Sequence, residues 1–296
     1  MDVGLFHINA SHDSDPAVVA KRAEELGFES YWLPDHTIIP VDRAVLYPAT
    51  PPGGEEPEYV FRCADPLIAL ARASAVTTRL KLGTGICLVA ERNPLLLAKQ
   101  IASLDNMSGG RVLVGIGGGW SPEECTIMGG DFDHRWTQIK DHVAAMKVLW
   151  RDDPSEYHGR YVDFPAVRAL PKPVQRPHPP LLLGAIANPR SHRRVVEWAD
   201  GWMPLVQSID EFAEGVARIK QVAEDSGRDP ATIDFTVVGL AGQFRNTEDH
   251  RALEKIGCNR VIVWIKAMDN DGMLAEIEEL AAELISEPAH EQVQLA

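Results

Sequence analysis

Residues 79–124 constrain the fold of this chain more than any other stretch. Residues 80–88 form a short apolar run broken by Gly83 and Gly85. Isolated glycines inside a strand pattern mark a bulge or a close approach of another group to the backbone. Pro94 then opens a helical stretch in which Leu95, Leu96, Leu97, Ala98, Ile101, Ala102 and Leu104 supply an apolar face. Ser108-Gly109-Gly110 closes that helix, and residues 111–116 read as a second buried strand. This strand runs straight into Gly117-Gly118-Gly119-Trp120-Ser121-Pro122-Glu123-Glu124. Two parallel strands therefore both carry glycines near their C-terminal ends, which is where α/β folds bind ligands. A flat or phosphorylated ligand is expected there.

The rest of the chain repeats the alternation. Residues 3–9 form a first strand, and Asp15-Pro16 starts a helix that Gly27 stops. Residues 29–33 form the second strand, followed by Pro34-Asp35-His36. Residues 37–63 dissolve into a proline- and glycine-rich insertion before Asp65-Pro66 caps the next helix. A helix is expected over 135–150, with Ile139, Val143, Met146 and Trp150 on one face, and then a second irregular insertion over 151–179. Strands near 181–183, 201–204, 235–240 and 260–265 alternate with helices over 191–199, 210–226, 247–256 and 272–285. About eight βα units with no fixed repeat and no linker predict one domain over 1–296, a (β/α)8 TIM barrel with insertion segments. A doubly wound open sheet is the alternative.

Composition narrows the function classes. A net charge of −14 is wrong for a nucleic-acid binder. No run of about 18 apolar residues exists to cross a membrane. The opening Met1-Asp2-Val3-Gly4 lacks the basic and apolar regions of a signal peptide, so a cytoplasmic location is expected. Cys63, Cys87, Cys125 and Cys258 are scattered without metal-ligand spacing, and His134 and His142 form no HExxH pair, so no metal site is expected. There is also no GxSxG elbow.

Three constellations can carry chemistry. Gly115, Gly117, Gly118 and Gly119 do not form GxGxxG, because Trp120 occupies the place of its third glycine, but they allow a ligand ring to approach the backbone. They are equally explained as a turn. Asp35-His36 ends a strand where barrel residues reach the active site; His36 can move a proton near neutral pH, and Asp35 can bind a cofactor or orient the imidazole. Gly184-Ala185 ends a strand shortly before Arg190, His192, Arg193 and Arg194. A helix N-terminus with nearby arginines binds phosphate. The same arginines can equally be an exposed face paired with Glu197.

Together these residues resemble the bacterial luciferase-like monooxygenase superfamily, and most closely its deazaflavin (coenzyme F420) branch. The motifs that carry the resemblance are Arg22-Ala23-Glu24-Glu25-Leu26-Gly27-Phe28 with Trp32, Asp35 and His36, then Asp65-Pro66-Leu67 and Thr78-Arg79-Leu80-Lys81-Leu82-Gly83-Thr84-Gly85. They continue with Asn93-Pro94, Ala98-Lys99-Gln100, Leu104-Asp105, Ser108-Gly109-Gly110-Arg111, Gly115 to Trp120 with Glu123-Glu124, Leu170 to Gln175, and Ala199-Asp200-Gly201-Trp202.

The resemblance implies a TIM barrel that holds an isoalloxazine-like ring at its C-terminal face. A bulge backing that ring, often with a non-prolyl cis peptide, maps to Gly85-Ile86. By the same mapping Asp35 contacts the ring system and His36 is the proton-transfer residue. Gly117, Gly118, Gly119, Gly184 and Ala185 hold the ribityl and phosphate portions, and Arg190, Arg193 and Arg194 meet an anionic tail. Sugar-phosphate dehydrogenase relatives carry a catalytic Glu where Trp120 stands, so that substrate is not expected, and Trp120 is assigned to the substrate pocket. The expected function is hydride transfer between F420 and a small organic substrate by a homodimer. The alternatives are an FMN-dependent monooxygenase served by a flavin reductase partner, and a catalytically silent ligand-binding barrel.

Overall fold

The computed structural model describes residues 1–8, 14–48, 50–240 and 242–285. Ten strands and nine α-helices are present among them. In chain order they are β1 (Asp2–Phe6), α1 (Pro16–Glu25), β2 (Ser30–Leu33), α2 (Pro66–Ser74), β3 (Lys81–Cys87), α3 (Pro94–Ser108), β4 (Val112–Gly117), α4 (Pro122–Ile127) and α5 (Arg135–Arg151). There follow β5 (Ser155–His158), β6 (Asp163–Val167), β7 (Leu181–Gly184), α6 (Pro189–Trp198), β8 (Gly201–Trp202), α7 (Ile209–Asp225), β9 (Asp234–Val238), α8 (Thr247–Ile256), β10 (Arg260–Trp264) and α9 (Asn270–Leu284).

Eight strands close a parallel barrel in the order β1-β10-β9-β8-β7-β4-β3-β2, which is the expected (β/α)8 architecture. Five helices start with one device: Asp15, Asp65, Asn93, Ser121 or Asn188 stands as N-cap immediately before a proline at the first helical position. Each cap side chain accepts a backbone N–H of the first turn, a contact worth about 1 kcal/mol. The proline gives up an N–H that had no helical partner anyway. These junctions fix where helices leave the C-terminal ends of β3, β4 and β7, and so where the loops that build the site begin.

Inside the barrel, Trp32 is fully buried and Gly83 makes room for it, since a Cβ there would lie 2.1 Å from the indole. At the opposite end from the site, Arg260 is buried and clasps Glu29 through two bonds of 2.8 Å. Three differences from the sequence reading stand out. Residues 151–179 are not wholly irregular, because β5 and β6 pair there as an antiparallel hairpin. The segment 37–63 contains a 3-10 turn at Glu58–Phe61, and α4 was not expected at all. Position 9, assigned to the first strand, lies outside the described residues. No helix among the described residues is long and apolar enough to cross a membrane.

Candidate active site

The register between β3 and β4 shifts between Thr84 and Cys87, and the Gly85-Ile86 peptide within that bulge is cis. The bulge turns Ile86 across the barrel mouth, where it forms one wall of a cavity of about 450 Å³. Such a volume is within the usual range for small-molecule sites. Its walls are largely apolar: Phe6 of β1 and Trp264 of β10 meet edge to face at 5.0 Å, with Met203 and Val238 beside them. The roof comes from the 37–63 segment, whose Tyr47 packs edge-on against Tyr59 at 6.2 Å and against Trp120 at 5.9 Å.

Asp35 and His36 follow β2 and both line this cavity. They have different partners. Asp35 is 3% exposed, and its carboxylate forms a two-pronged pair with Arg92 at 2.6 and 2.9 Å while accepting the Leu88 N–H at 3.0 Å. Arg92 also reaches Asp65, the N-cap of α2, at 2.9 Å. Charge-assisted forked bonds of this kind are short and directional. They fasten the strand end that carries His36 to the start of α3.

The imidazole of His36 is held at both nitrogens. Nδ1 lies 2.8 Å from Glu124 Oε2, and the Trp120 indole N–H donates to Nε2 at 3.2 Å. A carboxylate cannot donate and an indole cannot accept. The network therefore assigns the proton to Nδ1 and leaves the Nε2 lone pair facing Trp120. Glu124 is 1% exposed and also accepts the backbone N–H groups of Thr37 and Ile38 at 3.1 and 3.4 Å. Ser121-Pro122-Glu123-Glu124 has the sequence of a capping box, and Ser121 Oγ does accept the Glu124 N–H at 3.2 Å. Here the Glu of the box is turned to the imidazole instead of the cap. Its neighbour Glu123 accepts the Ala44 N–H at 2.8 Å, so one helical turn anchors both His36 and the roof segment.

Two of the glycines make room for a neighbouring side chain. A Cβ on Gly117 would lie 1.6 Å from Ile86 Cδ1, and one on Gly184 would lie 2.6 Å from Ile86 Cγ2. These two glycines admit the Ile86 side chain. Gly118 stands against Trp136 and Arg135. Of the residues assigned to a cofactor, Asp35, Gly85, Ile86, Gly119, Gly184 and Ala185 line the cavity together with His36 and Trp120, whereas Gly117 and Gly118 stand behind it.

Arg190, Arg193 and Arg194 line a second hollow of about 380 Å³ between α5 and α6. Only three residues separate Ile186, in the cavity wall, from Arg190. The pairing with Glu197 considered from sequence does not occur, because Glu197 is engaged by Lys140 at 2.8 Å. Among the described residues none of the three arginines has an acidic partner, and Arg194 lies over the Trp136 ring at 4.7 Å. Burial and repulsion from Arg190 and Arg135 depress the proton affinity of Arg194. Lys140 lines the same hollow, so its cations outnumber its single carboxylate, Glu197.

Sequence reasoning missed Arg92, Glu124 and the roof tyrosines. Arg92 was adjacent to a recognised helix start, Asn93-Pro94, so its signal was present; Glu124 lies in α4, which was not expected, and the aromatic roof has no periodicity that would reveal it.

Comparison with known proteins identifies the family and the fold. Residues 14–295 match the family model described as luciferase-like monooxygenase. An uncharacterized protein of Mycobacterium tuberculosis is 33% identical over 286 residues, covering 96% of this chain and 99% of that one. Monooxygenase RslO1 from Streptomyces bottropensis superposes with a TM-score of 0.76 at 21% identity, over 96% of this chain and 98% of that one. The coenzyme F420-dependent tetrahydromethanopterin reductase of Methanopyrus kandleri gives 0.72 at 19% identity over the same shares. The chain belongs to the luciferase-like monooxygenase family.

Proposed function

We propose that this luciferase-like family member transfers a hydride between coenzyme F420, an 8-hydroxy-5-deazaflavin, and a small, largely apolar organic substrate, with His36 moving the accompanying proton. One juxtaposition carries the reading. An apolar cavity with a fixed imidazole adjoins, across three residues, a groove of unpaired arginines. The residues fit the cofactor: Ile86, Met203 and Val238 offer apolar surface to a flat ring, and Arg190, Arg193 and Arg194 offer charge to a multiply anionic tail. A flavin with a single phosphate would leave most of those arginines without a partner. The fold is shared with an F420-dependent reductase and with a monooxygenase, so it is compatible with this choice.

The deazaflavin supplies or accepts two electrons as hydride and reacts poorly with oxygen, so reduction or dehydrogenation is favoured over oxygenation. The protein positions and moves the proton. Nε2 of His36 takes a proton from a substrate hydroxyl, or returns one to a carbonyl oxygen, once that oxygen replaces the Trp120 N–H as its partner. The bond from Nδ1 to Glu124 keeps the ring turned for this exchange and stabilises its charged form. The walls leave few polar groups for a sugar or a phosphate. An uncharged alcohol, ketone or enone suits them.

Calorimetric titration of the purified protein with F420 and with FMN in parallel tests the proposal. Micromolar or tighter binding of F420 with much weaker binding of FMN is the expected result. Preference for FMN with oxygen-dependent product formation would move the protein to the monooxygenase reading, which the fold of RslO1 supports. Binding of either cofactor without turnover over a broad substrate panel would favour a silent barrel.

A further inference from the structure

Glu91 is a buried carboxyl group that the proton-transfer scheme above does not use. It ends the 3-10 turn Val89–Glu91 that precedes α3 and is 4% exposed. Its Oε2 is buried without a hydrogen-bond partner. Its Oε1 stands behind Gly119, 3.3 Å from where a Cβ on that glycine would be. Gly119 has φ +67 and directly precedes Trp120, which holds one nitrogen of His36. Glu124, which holds the other nitrogen, also acts electrostatically on Glu91. Glu91 is therefore next to both arms of the imidazole clamp without belonging to either.

We propose that Glu91 is a positioning residue for His36, serving as a neutral carboxylic acid behind the glycine turn that carries Trp120 and leaving Glu124 as the one carboxylate bonded to the imidazole. This inference rests on the reading of His36 as the proton-transfer group.

The surroundings explain why the neutral form is held. Arg92 is the cation that pulls the other way, but its Nε and Nη2 are committed to Asp35 and Asp65. From β2 the group meets Asp35, and from α4 it meets Glu124 and the buried Cys125 thiol, which Glu91 helps to push up to about 11 after burial. From α5 Arg135 approaches the same thiol, and His142 bonds the Val89 carbonyl of the turn itself. Burial first, then repulsion from Glu124 and Asp35, raise the Glu91 carboxyl to about 8 against the pull of Arg92. Asp35 is offset by its forked pair with Arg92, so Glu124 dominates the field at Nδ1. Ionisation of Glu91 would add a second negative charge beside the clamp.

The test uses the protein without cofactor, so it stands or falls separately from the assignment of F420. Infrared difference spectra should show a carboxylic-acid C=O band at pH 7 that fades as pH rises through about 8 and is absent in Glu91→Gln. In the same samples the His36 imidazole, followed by nuclear magnetic resonance, should show a second inflection with that midpoint in the wild type and lose it in Glu91→Gln. Glu91→Asp, which keeps the acid, should keep both signals. Absence of the band at pH 7 would overturn the proposal. So would a band accompanied by identical His36 titrations in wild type and Glu91→Gln. If Glu91→Gln does not fold, the wild type and Glu91→Asp decide: band and inflection must share a midpoint in each, and separate midpoints would overturn the inference.

Discussion

Gly117 and Ile86 occupy the same space by design: the Cβ that Gly117 lacks would lie 1.6 Å from Ile86 Cδ1. The cavity wall thus depends on one strand giving up a side chain so that the bulge of its neighbour can deliver one. Gly117→Ala should drive Ile86 into the cavity or push β3 and β4 apart. Overpacking of this kind costs about 1–3 kcal/mol, and cofactor affinity should fall at least tenfold. Adding Ile86→Ala removes the clashing atoms and should restore stability in a double-mutant cycle of urea unfolding curves. Strictly additive losses would show that the two residues do not compete.

The same pair shows what the sequence could and could not reveal. Glycines at the ends of β3 and β4 pointed to the barrel end where the cavity opens, because strand ends in a parallel barrel converge on one face. A sequence does not tell whether the group approaching a glycine is a ligand or a neighbouring side chain, and at Gly117 it is Ile86. The Asp-Pro and Asn-Pro helix starts were legible because capping is local. The bond between His36 and Glu124 spans 88 residues and could not be read from spacing. The β5–β6 hairpin was missed because its strands are only four and five residues long and each buries a single residue, Ser155 and Phe164, too short a pattern to stand out.

The clamp on His36 predicts a graded series. His36→Asn should leave cofactor binding intact and lower turnover by roughly 10²–10⁴-fold, the usual worth of a positioned acid–base group. Glu124→Gln keeps an oxygen acceptor but removes the charge, so its effect should be smaller and accompanied by a shift in the pH–rate profile. Trp120→Phe removes the N–H that competes for Nε2 and should change KM more than kcat. Unchanged turnover in His36→Asn would remove its assigned role.

The arginine groove predicts selectivity between cofactors. Replacing Arg190 or Arg193 by Ala removes a charge contact worth about 1 kcal/mol, so F420 affinity should fall roughly fivefold for each. FMN, with less charge to place there, should respond less. Raising the salt concentration should shrink the difference, because exposed charges are screened over about 10 Å at 0.1 M. Equal losses for both cofactors would assign the arginines to a shared phosphate instead of a tail.

His7 predicts how stability falls in acid. The ring is fully buried just after β1, with the Tyr31 hydroxyl at 2.7 Å from Nδ1 and Ser14 Oγ at 2.9 Å from Nε2. Two hydroxyls satisfy a neutral ring but offer no charge to a protonated one, and burial lowers its pKa from 6.5 to about 3. Between those values the unfolded chain binds a proton that the folded chain refuses, so stability rises with pH across that window and is fully present above 6.5. At pH 4.5 the expected loss is about 3 kcal/mol, two pH units at about 1.4 kcal/mol each. Acidic groups add their losses lower down: burial works against Glu29, but Arg260 holds it at about 2, so its contribution disappears between 4.5 and 2. His7→Gln keeps hydrogen-bonding capacity without a titrating proton and should flatten the stability curve between pH 6.5 and 4.5. Burial also lowers His142 and His250, so a shallower slope should persist. Urea unfolding at half-unit pH steps measures both curves, and parallel slopes in that window would show that His7 accepts its proton inside the fold.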